Sequence, residues 1–350
     1  MPVARLLREQ TIGETRWAAL DTRGQPVALY LDRPHETVRR AVAGDRLDAR
    51  IRKLDAALGG AFVDLGAKGE AFLRFRSGEA LSEGAAAVVE VAAEARRGKW
   101  PRGRLASAAA PATRGADRWR TCLNAAAGLT VDDRPAGDAE VQAAFDDALA
   151  PALTLPGGGR LQVERTEALI AADIDTSGRT ARGDRAAGAL ALNLDAAAAL
   201  ARQIHLRGWG GLAVLDCVAP VGKAAGARIR SAFLEAFRDI SDRQVKALPP
   251  SAFGLMEISA DWLLTPLAER LLGAAGRPSP ETLALDGLRQ LEAGARANRM
   301  GRLQLTLPGE AFAWLQTSGL DADTLLAQTY GARLVIQPGP NTAPDVRPVP

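Results

Sequence analysis

The chain of 350 residues is 47% hydrophobic and 24% charged, long and apolar enough to bury the cores of two or three compact modules. A formal net charge of +3 beside a pI of about 9.1 excludes a uniformly polybasic binder, so any grip on nucleic acid must come from local clusters. Two histidines, and two cysteines (Cys122 and Cys217) at no metal-binding spacing, exclude a His-ligated zinc enzyme and a disulfide framework. Without a signal-peptide core or an apolar run of about 18 residues, the expectation is a soluble cytoplasmic protein.

Residues 16–21 and 26–31 alternate like strands around Thr22-Arg23-Gly24-Gln25, which predicts a hairpin. A lone hairpin is marginal, so it must join a larger sheet. Between 42 and 106 the texture is that of a small barrel, with short alternating strands and glycine at the turns. Gly60-Ala61-Phe62-Val63-Asp64-Leu65-Gly66, followed by Phe72-Leu73, resembles the S1 domain, an OB-fold barrel whose relatives hold single-stranded nucleic acid on aromatic platforms. Phe62 and Phe72 occupy the matching aromatic positions; the alternative makes both rings barrel core, and ring exposure separates the two. Arg96, Arg97, Lys99, Arg102 and Arg104 then surround Trp100, a cluster suited to phosphate and base contacts or, equally, a solvated charge run.

Helices are predicted at 116–127 and 139–149, after an alanine- and proline-containing stretch at 106–113, and a glycine-turn hairpin at 153–164. The runs 168–172 and 212–215 read as buried strands, and each delivers acids to its end: Asp173 and Asp175 from the first, Asp216 from the second. Between them Asn193 is placed to cap a helix over 194–206, which Gly208 stops, with His205 in the last turn where a cation suits the helix dipole. Two carboxylates brought together repel unless a cation sits between them, and Mg²⁺ is typically held by one or two carboxylates plus substrate phosphate. The plainer alternative is that an Asp at a strand end only satisfies its own turn. Beyond lie an amphipathic helix at 223–239 with Ile229, Phe233 and Phe237 on one face and Lys223, Arg228 and Arg230 as cations, then closing strands at 246–248 and 254–259. A helix at 278–299, strands at 301–307 and 331–336 around 309–326, and a disordered tail complete the chain.

The string Ala-Asp-Ile-Asp-Thr-Ser-Gly-Arg at 172–179, the run from Asn193 through Arg207-Gly208-Trp209-Gly210-Gly211 to Asp216, and Phe-Gly-Leu-Met-Glu-Ile-Ser at 253–259 closely resemble, in that order, the catalytic region of the ribonuclease E/G family. The resemblance implies an α+β multi-domain fold: a discontinuous RNase H-like subdomain (1–40 plus 107–157), an inserted S1 barrel (41–106), a DNase I-like catalytic subdomain (158–265), a small α/β domain (275–337) and the tail at 338–350. It implies endonucleolytic hydrolysis of single-stranded RNA with Mg²⁺, or Mn²⁺ in its place, on Asp173 and Asp216. Asp175 stands where the family has an orienting amide and is a third catalytic candidate; an acid there either strengthens metal binding or raises a neighbouring pKa. Glu257 is a weaker candidate. Phe62, Phe72, Lys99, Arg102 and Arg104 form the implied RNA-binding set, with Arg102 at the position of a family lysine, an exchange that keeps charge and changes donor geometry.

The chain also departs from the pattern. Residues 105–156 offer too little length for the family's 5′-monophosphate sensor, so no 5′-end sensing is expected. Where the family carries an arginine and a Cys-Pro-x-Cys pair that shares zinc between subunits, this chain reads Ala260-Asp261-Trp262-Leu263, with no cysteine past Cys217. No structural zinc and no zinc-linked assembly are therefore expected, and the oligomeric state is left open. Two functions compete: a Mg²⁺-dependent endoribonuclease of RNA processing or decay, and a non-catalytic RNA-binding relative. The retained Asp173 and Asp216 favour the enzyme.

Overall fold

The computed structural model describes residues 2–74, 81–107, 113–125, 129–177 and 184–349; Gly178 and Arg179 of the acidic motif, and parts of the expected 106–113 and 116–127 segments, lie outside these. Strands β1 (Val3–Thr11), β2 (Glu14–Asp21) and β3 (Pro26–Asp32) form the antiparallel meander that the hairpin required. The middle strand is buried on both faces, Trp17 and Ala19 on one and Ala18 and Leu20 on the other. Next, β4 (Arg46–Asp55), β5 (Gly60–Asp64), β6 (Glu70–Arg74), β7 (Ala86–Ala93) and β8 (Arg102–Leu105) close into a five-stranded barrel in the order β4-β5-β6-β8-β7. Ile51, Ala61, Val63, Leu73, Val89 and Val91 fill it, and strand alternation sends Phe62 and Phe72 outward, so neither ring belongs to the barrel core.

Helix α1 (Gly115–Thr121) is shorter than the expected 116–127. Strand β9 (Val131–Arg134) then returns to pair parallel with β1, Leu6 opposite Val131, so the first sheet takes an edge strand from beyond the barrel. Helix α2 (Ala139–Leu149) begins where the Asp138 carboxylate accepts the Glu140 and Val141 amides, and lays Val141 and Phe145 on that sheet.

The second sheet runs β10-β11-β12-β13-β15-β14, from β10 (Ala152–Thr154), β11 (Arg160–Arg165), β12 (Ile170–Asp175), β13 (Gly211–Asp216), β14 (Val245–Ala247) and β15 (Leu255–Ala260). Helix α3 (Arg185–Leu206) is the crossover between the parallel strands β12 and β13, and α4 (Lys223–Ile240) lies beside it. One face of the sheet, including Ile170, Ala172, Leu215, Met256 and Ile258, packs on Leu192, Ala196, Leu200 and Ile204 of α3 and Ile229, Phe233 and Phe237 of α4. On the opposite face Gln162, Ala171, Asp173, Asp175, Leu212, Asp216 and Glu257 are exposed.

Three expectations are corrected here. Helix α3 starts eight residues before Asn193, capped by Asp184, because the Ala- and Leu-rich stretch at 186–192 propagates the helix upstream; Asn193 is mid-helix and buried. Gly208, with φ +67°, does lie just past its end. His205 carries no charge for the helix dipole: burial first, then the neighbouring Arg243 guanidinium, hold its imidazole well below the ordinary value, and its ring lies on Phe237 at 4.1 Å. The tail is ordered, since β18 (Asp345–Val349) pairs antiparallel with β16 (Arg302–Pro308).

After the short α5 (Leu267–Leu271), α6 (Pro280–Ala297), β16, α7 (Gly309–Thr317), α8 (Ala322–Tyr330), β17 (Leu334–Gly339) and β18 build the C-terminal unit on a β17-β16-β18 sheet. A buried ionic network ties it to the first sheet: the Glu14 carboxylate accepts Arg16 at 2.7 Å, Arg33 at 2.9 Å and Arg289 of α6 at 2.8 Å. Among the described residues, no helix is long and apolar enough to cross a membrane.

Candidate functional site

The parallel register of β12 and β13 pairs Ala172 with Leu215. Asp173 and Asp216 are the next residue on each strand, so they leave neighbouring strands at one level and on the same exposed face. Adjacent strands lie roughly 4.8 Å apart, a spacing that two carboxylates can bridge with one cation. Neither carboxylate takes a hydrogen bond or ion pair from any described residue, which leaves two hard oxygen ligands open to solvent, the donor type Mg²⁺ and Mn²⁺ prefer. Gln162 of β11 stands opposite Asp173, and Glu257 of β15 opposite Val214, one strand repeat below the pair.

Asp175 behaves differently. It shares the face, but one oxygen accepts the Ser177 amide at 2.8 Å and the other the Ser177 hydroxyl at 2.8 Å. Those two bonds, the amide first, hold its carboxyl below the ordinary value. Its acid thus closes the turn that leaves β12, the plainer role that an Asp at a strand end can take.

The buried Asn193, read from sequence as a cap, fixes the other strand end. Its amide donates to the Val218 carbonyl at 2.9 Å and its oxygen accepts the Val218 amide at 2.8 Å, clamping the backbone two residues after Asp216. No local sequence signal distinguishes this from a cap, because the partner lies 25 residues away. Next to it, burial and then the Asp216 carboxylate push the Cys217 thiol up to about 12, so this cysteine is an inert neutral group. Asn193→Ala leaves both Val218 groups unpaired and is expected to cost about 1–3 kcal/mol; a shift of the urea midpoint is the measurement, and an unchanged midpoint refutes the clamp.

On the barrel, Phe72, Phe62 and Trp100 form one surface cluster: Phe62 meets Phe72 edge-on at 5.3 Å and Trp100 at 5.2 Å, and Trp100 is 53% exposed. Trp100, read from sequence only as part of a basic run, supplies the most exposed ring. Arg102 is half-buried opposite Phe72 on β8, Lys99 is exposed, and Arg104 is tied to Glu90. The expected binding set therefore splits into an aromatic patch edged by Lys99 and Arg102, and an arginine engaged in an ion pair.

The basic loop also joins barrel to sheet. The guanidiniums of Arg96 and Arg165 lie over the Trp262 ring at 4.6 and 5.4 Å, and Trp262 in turn presses on Gly211, where an added Cβ would sit 3.1 Å from the indole nitrogen. Arg243 donates to the Asp261 and Trp209 carbonyls, and Glu94 of the barrel accepts the Thr265 amide. A small cleft of about 160 Å³ lined by Lys99, Arg165, Leu212 and Trp262 marks the junction. From Leu212 the open face runs four residues along β13 to Asp216, about 13 Å at the rise of a strand.

Among the described residues, the one group of three potential metal ligands lies elsewhere: His35, Glu36 and Glu281. There Arg33 pairs with Glu281 at 3.0 Å and Arg270 with Glu36 at 2.7 Å, so the acids are already neutralised and the group is an ion-pair joint.

Residues 129–262, which hold β9, α2 and the whole second sheet, match the model of the Ribonuclease E/G family. Over 207 residues, 57% of this chain, it is 30% identical to Ribonuclease E of Buchnera aphidicola subsp. Acyrthosiphon pisum, 28% to that of Haemophilus influenzae and 29% to that of Escherichia coli. These alignments cover 23%, 22% and 19% of the respective relatives, so the chain spans about a fifth of their length. The matched region contains both open aspartates, the Asn193 clamp and the strand pair that sets their level, and it is this region of the chain that is similar to the ribonuclease E/G family.

Proposed function

We propose that this chain is a metal-dependent endoribonuclease that hydrolyses phosphodiester bonds of single-stranded RNA on the open face of the second sheet. The observation that carries the reading is the pair of carboxylates, Asp173 and Asp216, at one level of adjacent parallel strands, with no partner among the described residues. They would hold Mg²⁺ or Mn²⁺. Bound there, such an ion would supply Lewis-acid chemistry to a scissile phosphodiester and charge stabilisation to its leaving oxygen. The chain's own residues do the rest by positioning. Asn193 and the Asp175–Ser177 turn fix the ends of the two strands, so the acids need no reorganisation when substrate arrives. Phe62, Phe72 and Trp100 offer faces and edges for unpaired bases, and Lys99 and Arg102 offer charge for phosphates.

Hydrolysis without 5′-monophosphate sensing, in RNA processing or decay in the cytoplasm, completes the reading. The test is cleavage of one AU-containing single-stranded RNA carrying either a 5′-monophosphate or a 5′-triphosphate. Cleavage with Mg²⁺ at equal rates on both, none with a chelator, is expected. A strong preference for the monophosphate refutes the absence of sensing, and binding without cleavage makes the chain a non-catalytic RNA-binding relative.

A further inference from the structure

Phe253 opens the Phe-Gly-Leu-Met-Glu-Ile-Ser motif, yet the hydrolytic site described above gives it no task. It is 89% exposed and is the one fully exposed phenylalanine among the described residues; Phe145, Phe233 and Phe237 are buried, and Phe62, Phe72 and Phe312 are partly covered. A phenyl ring left in water on a turn is apolar surface that folding does not use.

The turn that carries it is fixed. Pro249 and Pro250 restrict its entry, the Ser251 amide donates to the Leu255 carbonyl at 3.0 Å, and the Gly254 amide donates to the Ser251 carbonyl at 2.9 Å. The Cys217 amide then donates to the Gly254 carbonyl at 3.1 Å, binding the turn to the end of β13. Gly254 has φ +85°, and a Cβ built there would lie 3.9 Å from Asp216 Oδ1. The exposed ring is therefore one residue from backbone bonded to Cys217, the neighbour of a candidate metal ligand, on a turn with little freedom to move it.

We propose that Phe253 is a stacking platform that seats an unpaired nucleobase beside the phosphate held at Asp173 and Asp216. The proposal rests on the hydrolytic reading for the identity of its neighbour. An aromatic face accepts any base, because every base has a π-face, so the ring fixes the strand without reading its sequence. The occupant follows from the surroundings. Leu248 and Leu255, 59% and 38% exposed, make a narrow apolar rim, while Asp216, Asp173 and Glu257 supply negative charge that a cation bridges to a phosphate.

The experiment uses the full chain, a single-stranded RNA and Mg²⁺, with 2-aminopurine placed in turn at each position around the cleavage site. In the Asp216→Asn background one position is expected to be quenched on binding, to lose that quenching with Phe253→Ala and to regain it with Phe253→Trp. In the cleaving protein Phe253→Ala is expected to lower kcat/KM about tenfold, equivalent to about 1.4 kcal/mol. An abasic residue at the quenched position should make wild type and Phe253→Ala equal. If Asp216→Asn abolishes cleavage while Phe253→Ala alters neither signal nor rate, stacking is overturned and the hydrolytic reading stands. If quenching depends on Phe253 but nothing is cleaved, the hydrolytic reading falls and the platform stands. A Phe253→Ala protein whose only change is its oligomeric state by light scattering assigns the ring to a protein interface and overturns the proposal.

Discussion

Asp216→Asn is expected to lower Mg²⁺-dependent cleavage by about 10²–10³-fold while leaving the fold and RNA affinity in place. The side chain is exposed and takes no hydrogen bond from the described residues, so the amide removes charge without opening a cavity or stranding a buried partner. Asp173→Asn should do the same, and the double variant should be little worse than either, because two ligands of one ion act as a unit. Asp175→Asn is the control. Its role in the Ser177 turn needs an acceptor more than a charge, so its loss should be much smaller. Single-turnover cleavage, with binding followed separately, decides the matter; cleavage unimpaired in Asp216→Asn refutes the assigned site.

Glu14→Gln is expected to destabilise the protein by about 3–5 kcal/mol. Burial, the largest influence on this carboxyl, raises its pKa, but the guanidiniums of Arg16, Arg33 and Arg289 together outweigh it and hold it far below the ordinary 4.5. A depressed folded-state pKa means that the stabilisation is fully present above 4.5 and lost only as pH falls through the acid range below it. Glutamine keeps the shape and leaves three buried guanidiniums without their shared anion. Because Arg289 belongs to α6 and Glu14 to β2, the loss falls on the joint between the C-terminal unit and the first sheet. The urea midpoint at neutral pH reads it, and a shift below about 1 kcal/mol would place this network with ordinary surface pairs.

The readable parts of the chain were those governed by local alternation. Ile170, Ala172 and Ile174 face the helices, which leaves Asp173 and Asp175 outward, and the same rule on β5 and β6 turns Phe62 and Phe72 away from the barrel interior. Where the sequence reading went wrong, the deciding partner was distant. Asn193 has a cap's chemistry, but its partners are the backbone groups of Val218; His205 sits where a cation suits the helix, but Phe237 and Arg243 surround it. The proline-bearing tail looked unable to fold, yet β18 lies at a sheet edge, where a strand tolerates residues without an amide proton.

By itself, the sequence determined that two strands in the family-like region end in carboxylates, that a small barrel and a basic-aromatic run precede them, and that no cysteine follows Cys217. These are properties of residue type and short-range period, written in the order of the chain. Only the tertiary structure decided that Asp173 and Asp216 share one level, because that follows from the pairing of Ala172 with Leu215 across a crossover helix. It alone brought Trp100 onto the Phe62 ring and set the exposed Phe253 turn beside Asp216. Each depends on register or contact between distant segments, and a one-residue slip would turn the acids into the core while leaving the composition of every segment the same.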